Sequence, residues 1–295
     1  MQSADFLSAV FFYLKEGENL NQNWIVENLN NAFSTWNGKL GELWGLVTTG
    51  PQTFKGGAVW SVMQTLHNGM VGIGYALVVL FFAISLCKNT MNFHELKRPE
   101  AAIHYLIRFV AAKALVSYGM DIMLNVFSIC NGIVTDMADS MGGISEAMVS
   151  LPAEMQTAIE NVGFLASIPL WLVTILGSLF ITVLSFVMIL TVYGRFFRLY
   201  MYTALAPLPL AAFAGESTQS VGISFLKSYV GVCLEGAVIV LACVIYSAFV
   251  GTPTVTGGEA TTIVWSYLAE TVFNMLVLVG LIKGSDRIIH EMMGL

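Results

Sequence analysis

The chain has 295 residues, of which 56% are hydrophobic and only 11% charged, and it carries a net charge of −6. A soluble domain carries about 25% charged residues, so this chain lacks the polar surface to cover itself in water. The acidic balance argues against a soluble nucleic-acid binder, which needs a basic face. Cys87, Cys130, Cys233 and Cys243 fall in apolar stretches without CxxC spacing, and read as small lipid- or helix-facing side chains.

The opening MQSADFLSAVFFYL has an apolar run with no Lys or Arg before it, so no cleavable signal is expected. Residues 1–58 carry too many polar groups to span a bilayer. Their apolar positions from Trp24 are Ile25, Leu29, Ala32, Phe33, Trp36, Leu40, Leu43, Trp44 and Val47, which follow the helical period. This predicts an extracytoplasmic, Trp-rich amphipathic helix that lies on a membrane surface or packs on a partner. Gly50-Pro51 breaks it. Residues 59–295 are read as a transmembrane helical domain.

Between Lys55 and Lys88 there is no formal charge and a single histidine, His67, so a first span is expected over about 62–87. A charged stretch, 88–113, leads to a second, less apolar span over about 109–134, containing Asp121, Asn125 and Asn131. The segment 135–161 is acidic and has no Lys or Arg. A third span is expected over 164–193, with Pro169 near its start, where proline is tolerated. Leu199–Gly215 is apolar, but Pro207 and Pro209 oppose a regular helix there. A fourth span over 226–250 contains Glu235. A turn-rich loop, 251–260, and a fifth span over 261–282, with Glu270 and Asn274, complete the expected all-α polytopic fold.

Charge placement orients the expected fold. If Leu199–Gly215 does not cross, ten of the thirteen basic residues share one side: Lys88, Lys97, Arg98, Arg108, Lys113, Arg195, Arg198, Lys227, Lys283 and Arg287. That side is the cytoplasm by the positive-inside rule. The result is five spans in the cytoplasmic membrane, with the N-terminus outside and the C-terminus inside. Trp60, Trp171 and Trp265 then anchor the outer interface, and the segment with Pro207 and Pro209 becomes a re-entrant or broken hairpin on the cytoplasmic side.

Little in the sequence points to catalysis. There is no GxxxxGK[ST] phosphate loop and no HExxH or paired His/Cys metal spacing, so neither enzymatic activity nor a cofactor or metal is expected. His67, His94, His104 and His290 are scattered and read as interfacial polar residues. Asp121 and Glu235 are charges inside expected spans, where ionisable groups face a bundle interior or a wet cavity. They mark a translocation path or coupling site, or else pair between helices, for example with Lys113 or Arg195. Arg195 and Arg198 are topology anchors or contacts for an acidic substrate or partner.

Two stretches resemble a known family. Gly194-Arg195-Phe196-Phe197-Arg198-Leu199-Tyr200, followed by Ala204-Leu205-Ala206-Pro207-Leu208-Pro209-Leu210-Ala211, is similar to the signature of the TrbL-type polytopic subunit of conjugative type IV secretion systems. Ser224 to Phe249 fits the span that follows it in that family. TFKGGAVWSVMQTL and the charged loop leading to Asp121 resemble versions on integrative conjugative elements of Firmicutes. The resemblance covers about residues 50–290. It implies a non-enzymatic channel or scaffold subunit that assembles with the machine's ATPases and bitopic subunits. Such a subunit helps pass single-stranded DNA with its attached relaxase, and a homo-oligomer is expected. A stand-alone small-solute transporter is the rival reading. This chain lacks the large outside domain that some relatives carry between spans two and three.

Overall fold

The computed structural model describes residues 2–90, 99–140, 148–162, 164–249 and 260–295. Most of the loop 251–260 and the charged residues 91–98 lie outside the described residues. In chain order the α-helices are α1 (Gln2–Thr48), α2 (Ala58–Thr90), α3 (Pro99–Ser117), α4 (Gly119–Ser140), α5 (Ala153–Glu160), α6 (Phe164–Leu205), α7 (Pro207–Ala211), α8 (Gln219–Phe249) and α9 (Ala260–Met293). Two 3-10 turns, Phe54–Gly57 and Ala212–Ala214, complete the regular structure of the described residues. The fold is the expected all-α, polytopic one.

Among the described residues, four helical segments are long and apolar enough to cross a membrane: Phe54–Lys88, Ser167–Leu205, Gln219–Phe249 and Thr262–Met293. Ile103–Ser117 and Gly119–Asp139 qualify only as a pair, and they meet at 72°. The second expected span is therefore a bent pair rather than one straight helix. The break falls beside Gly119, a poor helix former. A Cβ there would lie 3.1 Å from Leu210 Cδ1, so α7 packs directly against the bend.

The double-proline segment also differs from expectation. Helix α6 continues through Leu199 to Leu205, so only Ala206–Gly215 is the interrupted piece. Proline removes its own N–H and restrains the residue before it, but leaves earlier turns free to be helical. Pro207 then opens α7 at its first turn, where α7 itself makes no use of that N–H.

The chain forms two compact units. The first contains Met1–Trp44, Gly142–Thr191 and Leu241–Lys283. Here α1 buries Ile25, Leu29, Ala32, Phe33, Trp36, Leu40 and Leu43, the face that the helical period marks. Asn28 Nδ2 donates to Ser178 Oγ at 3.0 Å. Residues 148–152 follow no helix. Asn37 holds this segment as a strand neighbour would: its Nδ2 donates to Val149 O at 2.7 Å, and its Oδ1 accepts from Val149 N at 2.9 Å.

The second unit contains Gly45–Met141, Val192–Val240 and Gly284–Leu295. Its core gathers Val78 of α2, Ala112 and Val116 of α3, Phe127 and Cys130 of α4, Leu210 and Ala211 of α7, and Tyr229 and Cys233 of α8. Irregular backbone at membrane depth must be buried in protein or line a wet cavity, and α7 is buried in this core. Gly74 permits the close approach of α2: a Cβ there would lie 2.9 Å from Val116 Cγ1 and 3.0 Å from Pro207 O. Gly74→Leu is expected to cost about 1–3 kcal/mol through overpacking, measured by unfolding in detergent. Gly69→Leu, where a Cβ meets nothing within 4 Å, should leave stability unchanged.

Candidate functional site: a buried arginine–carboxylate cluster

The polar groups of the second unit converge on α6. Arg195 and Arg198 stand three residues apart, neighbours on one helix surface, and they have different environments. Arg195 is fully buried, with 0% exposure. Its Nε donates to Val232 O at 3.3 Å, its Nη2 to Cys233 O at 3.2 Å and its Nη1 to Val47 O at 3.4 Å. Val47 lies in the last turn of α1, where carbonyls have no intrahelical donor and the helix end carries partial negative charge. The guanidinium thus caps α1 while binding α8. Gly236 makes room for it, since a Cβ there would fall 2.7 Å from Arg195 Nη1.

Arg198 makes the ionic contacts. Its Nη2 donates to both Glu235 carboxylate oxygens at 2.8 Å, and its Nη1 donates to Asp286 Oδ1. Ser285 Oγ adds a bond to Glu235 Oε1 at 3.2 Å. Glu235 is 1% exposed, while the Asp286 side chain is 46% exposed. Two arginines and two carboxylates make the cluster formally neutral. It joins the end of α1 to α6, α8 and α9. The arrangement offers no activated nucleophile; what it can do chemically is hold helices in one register, or exchange ionic partners if they move.

The structure brings three of the sequence-selected residues together: Arg195, Arg198 and Glu235. The partner of Glu235 is Arg198 rather than Arg195 or Lys113. Asp121 lies elsewhere, exposed in the first turn of α4, where a carboxylate opposes the positive helix end. Pro207 is buried and Pro209 half-buried in α7. Trp60 tilts against Tyr200 at 6.4 Å between ring centroids. Trp171 and Trp265 are exposed.

Sequence reasoning missed His67. It is buried rather than interfacial, and its Nδ1–H donates to Thr203 O at 2.7 Å. A continuing helix would satisfy that carbonyl from residue 207, but Pro207 has no N–H. His67 supplies the missing donor. A lone histidine in an otherwise uncharged stretch was the available signal. His67→Leu should cost about 1–3 kcal/mol by orphaning the carbonyl, and His67→Gln should recover part of it in the same unfolding assay. Phe54 was missed as well: it stacks on Phe196 at 4.1 Å, and nearby Tyr200 OH donates to Pro51 O at 2.8 Å. These contacts seat the turn between α1 and α2.

No curated protein and no solved structure matches the chain. The family model described as TrbL/VirB6 plasmid conjugal transfer like protein matches residues 36–207, more than half of the 295 residues. The match takes in both arginines of the cluster and ends at Pro207. With several apolar helices and this match, the chain is a multi-pass membrane protein that belongs to the TrbL/VirB6 plasmid conjugal transfer-like family.

Proposed function

We propose that the protein is a channel or scaffold subunit of a conjugative type IV secretion system, of the kind carried by integrative conjugative elements of Firmicutes. It helps pass relaxase-bound single-stranded DNA across the cytoplasmic membrane. The observation that carries this reading is the family match over residues 36–207. In this reading the chain is not an enzyme. It works as a homo-oligomer with the machine's ATPases and bitopic subunits, and the Arg195, Arg198 and Glu235 cluster is where motion of α6 is coupled to α8 and α9.

Deleting the gene in a donor cell should abolish transfer of the element, and supplying it in trans should restore transfer. Unchanged transfer would refute the reading. Loss of transfer with normal solute uptake would set aside a stand-alone transporter. The proposed orientation has its own test. Reporter fusions at residues 145, 220 and 255 and at the C-terminus should read outside, inside, outside and inside. An outside signal at 220 would contradict it.

A further inference from the structure

We infer that α1 lies within the bilayer, not outside it as expected for residues 1–58, and that its outward face, from Glu27 to Gly41, is wetted at the depth of the hydrocarbon and lines an aqueous path. All the residues that carry this lie in the first unit. There α1 and α6 run parallel and in register. Trp24 meets Trp171 at 5.7 Å between ring centroids, Asn28 bonds Ser178, and Lys39 Nζ sits 5.8 Å from the Phe186 ring. From the first contact to the last, both helices advance by 15 residues (24 to 39 and 171 to 186). That is about 22 Å of helix, most of a hydrocarbon layer about 30 Å thick.

The two helices present opposite surfaces over this length. On α6 no charged residue occurs between Glu160 and Arg195, and Leu172, Leu176, Phe180 and Val183 are exposed, as lipid contact requires. On α1 the exposed residues are Trp24, beside Trp171 at one end, and then Glu27, Asn30, Asn31, Ser34, Gly38 and Gly41. Glu27, Asn31, Ser34, Gly38 and Gly41 follow at fours and threes and make one continuous face, with Asn30 beside it. Polar and charged groups at membrane depth face protein or water, not lipid.

Packing within the chain does not account for this face. Glycine inside a helix costs about 1 kcal/mol relative to alanine, yet a Cβ at Gly38 or Gly41 would meet nothing within 4 Å. By contrast, Gly177 of α6 has Leu268 Cδ1 at 3.4 Å. The same face of α1 carries an open groove of about 500 Å³, bordered by Asn30, Phe33, Ser34, Asn37, Gly38 and the segment Met148–Ser150. The groove gives water both room and hydrogen-bonding partners.

The inference rests on the channel reading for what moves along the path, but its test reads water rather than transfer. Ser34→Cys, Gly38→Cys and Gly41→Cys are made in a Cys87→Ser background, where the remaining native cysteines are buried. Leu176→Cys and Val183→Cys serve as lipid-facing controls. A charged, membrane-impermeant maleimide applied to membranes holding the full chain should modify the three α1 positions at least about tenfold faster than the controls. Equal rates at all five positions would overturn the inference. So would protection of the α1 positions once the other transfer subunits are co-expressed, which would make this face a protein contact. A second measurement avoids thiol chemistry: Gly38→Asp should accumulate in the membrane at the parental level, while Leu176→Asp should be largely lost. The reverse order would overturn the inference. Fast α1 labelling in a donor whose transfer does not need the chain would leave the wetted face standing and remove the channel reading.

Discussion

Replacing Arg195 with leucine is expected to lower the stability of the folded protein by about 3 kcal/mol. The change removes three hydrogen bonds to carbonyls of two helices. It leaves Val47 O without a donor at the end of α1, and it leaves two carboxylates facing one arginine. Arg195→Lys should recover little, because an ammonium cannot reproduce the planar fork that reaches all three carbonyls. Gly236→Val should behave like Arg195→Leu, since the new side chain would displace the guanidinium. Equilibrium unfolding of the purified protein in detergent measures all three. An Arg195→Leu protein within about 0.5 kcal/mol of the parent would show that the buried guanidinium is not holding the helices together.

Removing Glu235 should be at least as damaging, with a loss of about 3–5 kcal/mol for Glu235→Ala. The cost comes from stripping Arg198 of its buried partner, which leaves it only the half-exposed Asp286 beside an otherwise apolar section of α8, not from the net value of the ion pair. The double substitution Arg198→Met with Glu235→Leu should therefore recover most of the loss, because an apolar pair of similar volume replaces a buried ion pair at little cost. A double-mutant cycle should return a coupling of more than about 1.5 kcal/mol. Additive single effects would show that the two side chains do not depend on one another. If the cluster couples helix motion, the double variant should fold and still fail in transfer, whereas a purely structural pair would leave transfer intact.

The sequence made some of this legible and obscured the rest for identifiable reasons. The apolar period from Ile25 to Val47 marks the buried face of α1, because a helix has one period and one face to hide. Trp24 and Trp44, also on that pattern, lie at its edges, exposed and half-buried. The expected spans fall on α2, α6, α8, α9 and the α3–α4 pair, since long uncharged stretches need no tertiary information to be recognised. The bend beside Gly119 was hidden because one glycine within an apolar run is compatible with a straight helix. The early end assigned to α6 came from giving Pro207 influence over residues it does not constrain. Within the cluster, all three residue types were visible as unusual, but their pairing was not. Arg195 and Arg198 differ by one turn and a modest rotation, so the local pattern cannot say which one reaches Glu235. His67 illustrates the same limit: its partner, Thr203 O, is 136 residues away in the chain.

The proposed role of the chain, handling the transferred strand within the membrane, is tested most directly by cross-linking during transfer. Donor cells carrying a photo-activatable residue in the second unit would be irradiated while single-stranded DNA is moving, and the chain then recovered under denaturing conditions. The account predicts recovered DNA from the transferred strand, dependent on an active relaxase and on the machine's ATPases. Transfer at the normal rate with no strand recovered from any position in the chain would contradict it.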